Sequence, residues 1–105
     1  MVLYVIKYDL LPDQLQAWQQ YAQTALPRLL RVPGIRELRS YRPVTGSSQI
    51  ATIHEFDDLA AFARWYSHAE TQQILTVETR AYVTHVTSEL WAPSPVVPEP
   101  LRPPH

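Results

Sequence analysis

IRELRSYRPVTGSSQIATIHEF, residues 35–56, reads as two strands and the turn that joins them. Residues 35–43 and 49–56 carry β-branched and aromatic types, and Val44-Thr45-Gly46-Ser47-Ser48 between them supplies turn formers. A connection this short makes the two strands antiparallel neighbours. On its N-terminal side, Leu15, Trp18, Ala22, Ala25, Leu26 and Leu29 recur at three- and four-residue steps, with glutamines on the opposite side. That spacing predicts an amphipathic helix. Pro12 is expected as its first residue and Asp13 as the complement of its dipole. Pro27 is expected to kink or break it near Ala25, and Pro33-Gly34 to end the segment beyond. On the C-terminal side, Asp57 is expected as an N-cap and Asp58 in the first turn. Leu59, Phe62, Ala63, Tyr66 and Ala69 then form a second stripe, which residues 70–80 extend as a further short helix. The outermost segments, 2–9 and 81–91, are strands by composition and alternation. The order β-α-β-β-α-β predicts a ferredoxin-like α+β fold with an antiparallel sheet, in which the first strand lies between the third and the fourth.

The chain has 105 residues, 46% of them apolar, a formal charge of −1 and no cysteine. Length and composition fit one domain with one modest core. Without cysteine there is no disulfide framework, thiolate metal site or cysteine nucleophile. Near-neutral charge speaks against a nucleic-acid partner, which needs clustered positive charge. No apolar run is long enough for a transmembrane helix, and MVLYVIKYD does not read as a signal peptide. The expectation is a cytoplasmic protein with no membrane partner. Six of the ten prolines fall between Pro93 and Pro104. The division is therefore a domain over 1–92 and a Pro-rich tail over 93–105, which can form neither a helix nor a central strand.

The first strand has two alternating sets, Val2, Tyr4, Ile6, Tyr8 and Leu3, Val5, Lys7, Asp9. The first is wholly apolar or aromatic, and the second is apolar for half its length. Two helices cover one face of a four-stranded sheet. A second copy of the chain, packed sheet to sheet, is the economical cover for the other, so a homodimer is expected. The tail leaves from strand four and is expected to drape over that partner, anchored by Val96, Val97 and Leu101.

VLYVIKYDLLPDQLQAW (2–18), ALPRLLRVPGIRELRSYRP (25–43) and IATIHEFDDLAAFARWYSHAE (50–70) together resemble the dimeric α+β barrel superfamily, in its antibiotic-biosynthesis-monooxygenase-like and NIPSNAP-like branches. The resemblance covers residues 2–91. It implies homodimers with a small hydrophobic, often aromatic, molecule held between helices and sheet. Some members oxidise that molecule with no cofactor, some handle haem, some isomerise lactones. Two helix positions where such proteins carry histidine are Trp65 and Glu70 in this chain.

Among candidate catalytic groups His54 stands first, on a strand face with Ile50, Thr52 and Phe56. An imidazole in apolar surroundings suits a general base near neutral pH. By strict alternation His85 shares a face with Val83 and Thr87, so His54, His85 and Tyr4 or Tyr8 could approach across the sheet. That arrangement suits a proton relay or a two-histidine metal site. No metal-binding motif or Gly-rich phosphate loop is present, so neither a metal nor a cofactor is implied. Tyr4, Tyr41, Phe56, Phe62, Trp65 and Tyr66 are candidates to line an apolar substrate pocket. Trp65 and Tyr66 are adjacent, so at most one is expected to point into it. Arg28, Arg31, Arg36, Arg39 and Arg42 read as a solvated surface. The leading function is a cofactor-independent monooxygenase on a hydrophobic aromatic or enolic molecule, with His54 as base and Tyr4 or Tyr8 on the developing oxyanion. The alternatives are an isomerase or cyclase using the same base, or a non-catalytic ligand-binding or stress-related dimer.

Overall fold

The computed structural model describes residues 1–104. Strand β1 (Val2–Leu10) is followed by helix α1 (Leu15–Arg31), strands β2 (Ile35–Tyr41) and β3 (Ile50–Phe56), helices α2 (Leu59–Tyr66) and α3 (Ala69–Thr76), a 3₁₀ turn (Glu78–Ala81) and strand β4 (Val83–Trp91). The sheet order is β2-β3-β1-β4, with every pairing antiparallel. The ferredoxin-like reading therefore holds, with the second helix in two pieces. His68 starts the second piece by accepting from the Glu70 amide through Nδ1 at 3.1 Å.

Several local expectations are corrected. Helix α1 begins at Leu15 rather than at Pro12. The Leu11 amide donates to the Tyr82 carbonyl at 2.8 Å, which ties this stretch to the approach to β4, and Asp13 has φ of 63°. A left-handed residue cannot be part of the first helical turn. Pro27 sits inside α1, which continues to Arg31. Proline deprives the carbonyl four residues earlier of its partner, and that residue, Gln23, is exposed to water, as is Pro27 itself. The N-cap of α2 is Asp58, whose carboxylate accepts from the Ala61 amide at 2.8 Å, while Asp57 pairs with Arg36 at 2.8 Å. The face α2 buries is accordingly Ala61 and Trp65 with Phe62 beside them, and Leu59 is left exposed.

One glycine is dictated by packing. Gly34 follows α1 with φ of 116°, and a Cβ there would lie 2.4 Å from the Ala61 carbonyl oxygen. The turn can approach α2 that closely only without a side chain.

The core lies between helices and sheet. Val2, Tyr4, Ile6 and Tyr8 of β1 meet Ala25 and Leu29 of α1, Trp65 of α2 and Ile74 of α3 there. Across the sheet, Leu3, Val5, Lys7, Ile53 and Glu55 face the other way, with no helix among the described residues over them, although Val5 is itself buried by its neighbours. Lys7 pairs with Glu89, and Glu37 with Arg39, on this side. Residues 92–104 take no helix or strand. Val96 and Leu101 are 86% and 83% exposed, so within one chain they do not anchor the tail. No helix among the described residues is long and apolar enough to cross a membrane.

Candidate functional site

The register of β1 and β3 sets Tyr4 opposite His54, and both side chains face the helices. His54 is 1% exposed. Its Nδ1 lies 3.0 Å from the Tyr4 carbonyl oxygen. A carbonyl only accepts, so Nδ1 carries the proton and Nε2 keeps the lone pair. Burial disfavours the imidazolium and lowers the pKa to about 4, although the Tyr4 carbonyl works against that shift. At neutral pH the ring is uncharged, with one nitrogen fixed to backbone and the other available.

Aromatic rings hold this imidazole in place. The His54 ring centre is 5.1 Å from that of Trp65 and 5.7 Å from that of Tyr4. Trp65 is wholly buried, and its indole N–H donates to the Leu29 carbonyl at 3.1 Å, which locks α2 to the end of α1. Tyr66, its neighbour, stacks on Phe62 at 5.2 Å and meets Tyr4 edge-on at 5.5 Å. As expected for adjacent helix residues, they divide the work: Tyr66 lines the cavity and Trp65 packs behind His54. Phe56 is wholly buried against Phe62 and Trp65 and serves the core.

The cavity is an inner chamber of about 180 Å³, walled by His54, Tyr4, Tyr8, Trp18, Tyr66 and Ile74 among others. Burial raises the pKa of Tyr4, with the Ser88 hydroxyl opposing the shift and Tyr66 adding to it, and all three residues line this cavity. Tyr8 is also raised by burial, and its hydroxyl is 3.3 Å from Thr52 Oγ1. An outer cleft of about 710 Å³ opens between the start of α1 and the β2–β3 hairpin, where Tyr41, Arg42, Gln49 and Leu15 line it. Tyr41 is therefore a residue of the outer cleft and does not reach the chamber of His54.

His85 is not brought to His54. The β1–β4 register runs from Lys7↔Thr87 to Asp9↔Thr84, so β4 carries an extra residue there, and His85 has φ of 54°. The bulge breaks strict alternation: Val83 and Val86 both line the chamber, while the His85 side chain, 78% exposed, reaches Asp9 at 3.2 Å. The relay and two-histidine metal arrangements drawn from simple alternation are thus overturned by one residue.

Other contributors were not singled out as site residues from the sequence. Trp18 is legible only as part of the α1 stripe and Thr52 only as a residue sharing a strand face with His54, while no local signal marks Ser88. Arg28 is not merely a solvated cation. It donates to Glu78 at 2.6 and 2.9 Å and, through Nε, to Glu70 at 2.9 Å. The guanidinium holds the Glu78 carboxyl down at about 2, and Tyr21 donates to the same carboxylate at 3.0 Å. This cluster ties the 3₁₀ turn, which brings Thr79 and Arg80 to the chamber, onto α1.

Residues 1–76 match the antibiotic biosynthesis monooxygenase family. The chain belongs to that family. Its fold is that of the dimeric α+β barrel superfamily, as the residues of strands and helices suggested. Among solved structures it is similar to a DABB family protein from Mesorhizobium loti with a ferredoxin-like fold (TM-score 0.78, 14% identity, covering 89% of this chain and 96% of that one). It is also similar to SnoaB, a cofactor-independent oxygenase from Streptomyces nogalater (TM-score 0.69, 19% identity, 93% and 97% covered). A NIPSNAP domain protein from Burkholderia xenovorans is a third (TM-score 0.66, 16% identity, 94% and 100% covered). At these identities the likeness is one of fold. No curated protein sequence matches the chain.

Proposed function

We propose that this family member is a cofactor-independent monooxygenase acting on a small phenolic or enolic molecule in the inner chamber. The observation that carries the reading is the neutral His54, fixed through Nδ1 and with Nε2 free of protein partners among the described residues, at the wall of an aromatic chamber. SnoaB, a cofactor-independent oxygenase of the same fold, lends support.

In this scheme Nε2 takes the proton of the substrate hydroxyl or enol. A base whose own cation is disfavoured by burial gains most when an anion forms beside it, because the ion pair then offsets the desolvation. The Tyr4 hydroxyl, beside Ser88 and Tyr66, donates to the substrate oxyanion. The resulting carbanion is electron-rich and reduces molecular oxygen. One oxygen atom enters the ring carbon as a carbonyl, and the other leaves as water with the proton taken from the hydroxyl and the one hydrogen displaced from that carbon. The surrounding aromatic rings keep bulk water from quenching the carbanion.

The test is oxygen uptake with a panel of one-, two- and three-ring phenols, in the natural chain and in His54→Gln. The expected result is one oxygen consumed per carbonyl formed, with a loss of about 10²-fold or more in the variant. A panel that binds without oxygen uptake overturns the oxygenase reading. Rearranged product without oxygen uptake would place the same base in an isomerase. The backbone bond at Nδ1 also suits a binding protein that turns nothing over, and binding with no product at all selects that reading.

We further propose a homodimer. The support is the helix-free face of the sheet, where Leu3, Ile53 and Trp91 leave apolar surface partly exposed on strands that no helix among the described residues covers.

A further inference from the structure

The inner chamber and the outer cleft are neighbours with a common wall. Tyr8 and Thr52 from the sheet and Trp18, Ala22 and Leu26 from α1 line both. The wall is closed by two contacts. The Tyr8 hydroxyl meets Thr52 Oγ1 at 3.3 Å, and the Tyr8 ring meets the Trp18 indole edge-on at 5.5 Å.

Size makes this wall consequential. An apolar cavity of about 150 Å³ holds one benzene ring. The chamber of His54, at about 180 Å³, is of that order, whereas the outer cleft, at about 710 Å³, is large enough for a fused-ring molecule. The wall is also stiff. Trp18 lies 5.9 Å from Tyr21 and 6.0 Å from Tyr82, which stack on each other at 5.0 Å, and Tyr21 is bonded to Glu78. Moving Trp18 would disturb that whole cluster.

We infer that Tyr8 and Trp18, with Thr52, form a size filter that determines specificity: a single-ring phenol or enol reaches Nε2 of His54, and fused-ring molecules stay in the outer cleft. The inference rests on the proposed function for the role of Nε2 and adds the substrate class. It assigns Tyr8 to the partition, with Tyr4 left to the oxyanion.

The experiment tracks the His54 imidazole by nitrogen NMR in histidine-labelled protein during titration with phenol and with 2-anthrol. Phenol is expected to shift the Nε2 resonance of the natural chain, and 2-anthrol to leave it in place. In Tyr8→Ala, 2-anthrol is expected to shift it and to bind about tenfold tighter. Tyr8→Phe keeps the ring against Trp18 and loses only the Thr52 contact, so 2-anthrol is expected to shift Nε2 less than in Tyr8→Ala. Trp18→Leu opens the same wall from the helix side and serves if Tyr8→Ala does not fold. The inference is overturned if 2-anthrol shifts His54 in the natural chain as phenol does, or if a folded opened variant still excludes it. A chain that sorts the two phenols yet consumes no oxygen loses the oxygenase reading and keeps the filter. If neither phenol shifts His54, both fail.

Discussion

The two faces of one sheet meet opposite conditions. On β1, Tyr4, Ile6 and Tyr8 point under the helices, while Leu3, Val5 and Lys7 point away from them. His54 lies on the first face and is sealed among aromatic rings, and His85 lies on the second, in water beside Asp9. The same side-chain chemistry therefore has two different uses. Under the helices, burial holds the imidazole neutral and the backbone fixes its tautomer, which is what a base needs. On the open side the His85 ring stands in solvent, with a side-chain contact to Asp9 at 3.2 Å. Covering, rather than residue type, decides which histidine has chemistry available to it.

The largest expected effect strikes the covered face. Trp65 packs against His54 and Phe56 and bonds to Leu29, so Trp65→Ala should lower folding stability by about 3–5 kcal/mol in denaturant unfolding. Next is a pH effect. The His54 pKa is about 4 in the folded chain against an ordinary value of 6.5 for the free side chain. Between those values the unfolded chain takes up the proton first, so stability falls as pH drops from about 6.5 to about 4, by on the order of 3 kcal/mol. His54→Gln should remove that slope, whatever its stability at neutral pH. Glu78 titrates lower, with a pKa of about 2 against 4.5, so its stabilisation is lost as pH falls below about 4.5 and the two windows separate. A slope between pH 6.5 and 4 that survives in His54→Gln would mean His54 is not the buried neutral base.

The outline of the molecule was legible because hydrophobic period is a local property. The hairpin 35–56, the α1 stripe and the alternation of β1 each fix an element type, and their order fixes the topology. His54 was legible for the same reason, since its strand neighbours Thr52 and Phe56 share its face. The bulge at His85 was not. One inserted residue reverses every side chain beyond it, and nothing in AYVTHVTSELW marks the insertion. The α2 cap shifted by one residue because Asp57 and Asp58 are equal as caps in isolation, and Arg36, from another element, engages Asp57. Trp18 as a chamber wall depends on where α1 crosses the sheet, which no local pattern encodes.

The open face yields the next effect. Ile53 pairs with Val5 across β1 and β3 at the middle of that face, and it is only partly buried in the single chain. If a second copy covers it, Ile53→Glu places a charge in an apolar contact and should weaken the dimer about tenfold or more, roughly 1.4 kcal/mol, in sedimentation equilibrium. Stability of the monomer should change much less. An unchanged dimer constant, or a natural chain that sediments as a monomer, breaks the proposed pairing.

The smallest effect is the sharpest check on the contrast between the histidines. His85 occupies a left-handed conformation, φ 54°, in which any side chain is strained by roughly 1–2 kcal/mol. Glycine at that position relieves the strain, but it also gives the unfolded chain more freedom, an opposing effect of about 0.5–1 kcal/mol. The exposed pair with Asp9 at 3.2 Å adds little. These contributions nearly cancel, so His85→Gly should stay within about 0.5–1 kcal/mol of the natural chain. Phenol binding at His54 should be unchanged, because the bulge turns the His85 side chain away from the chamber. Loss of that binding in His85→Gly, with folding intact, would return His85 to the site and erase the distinction between the two faces.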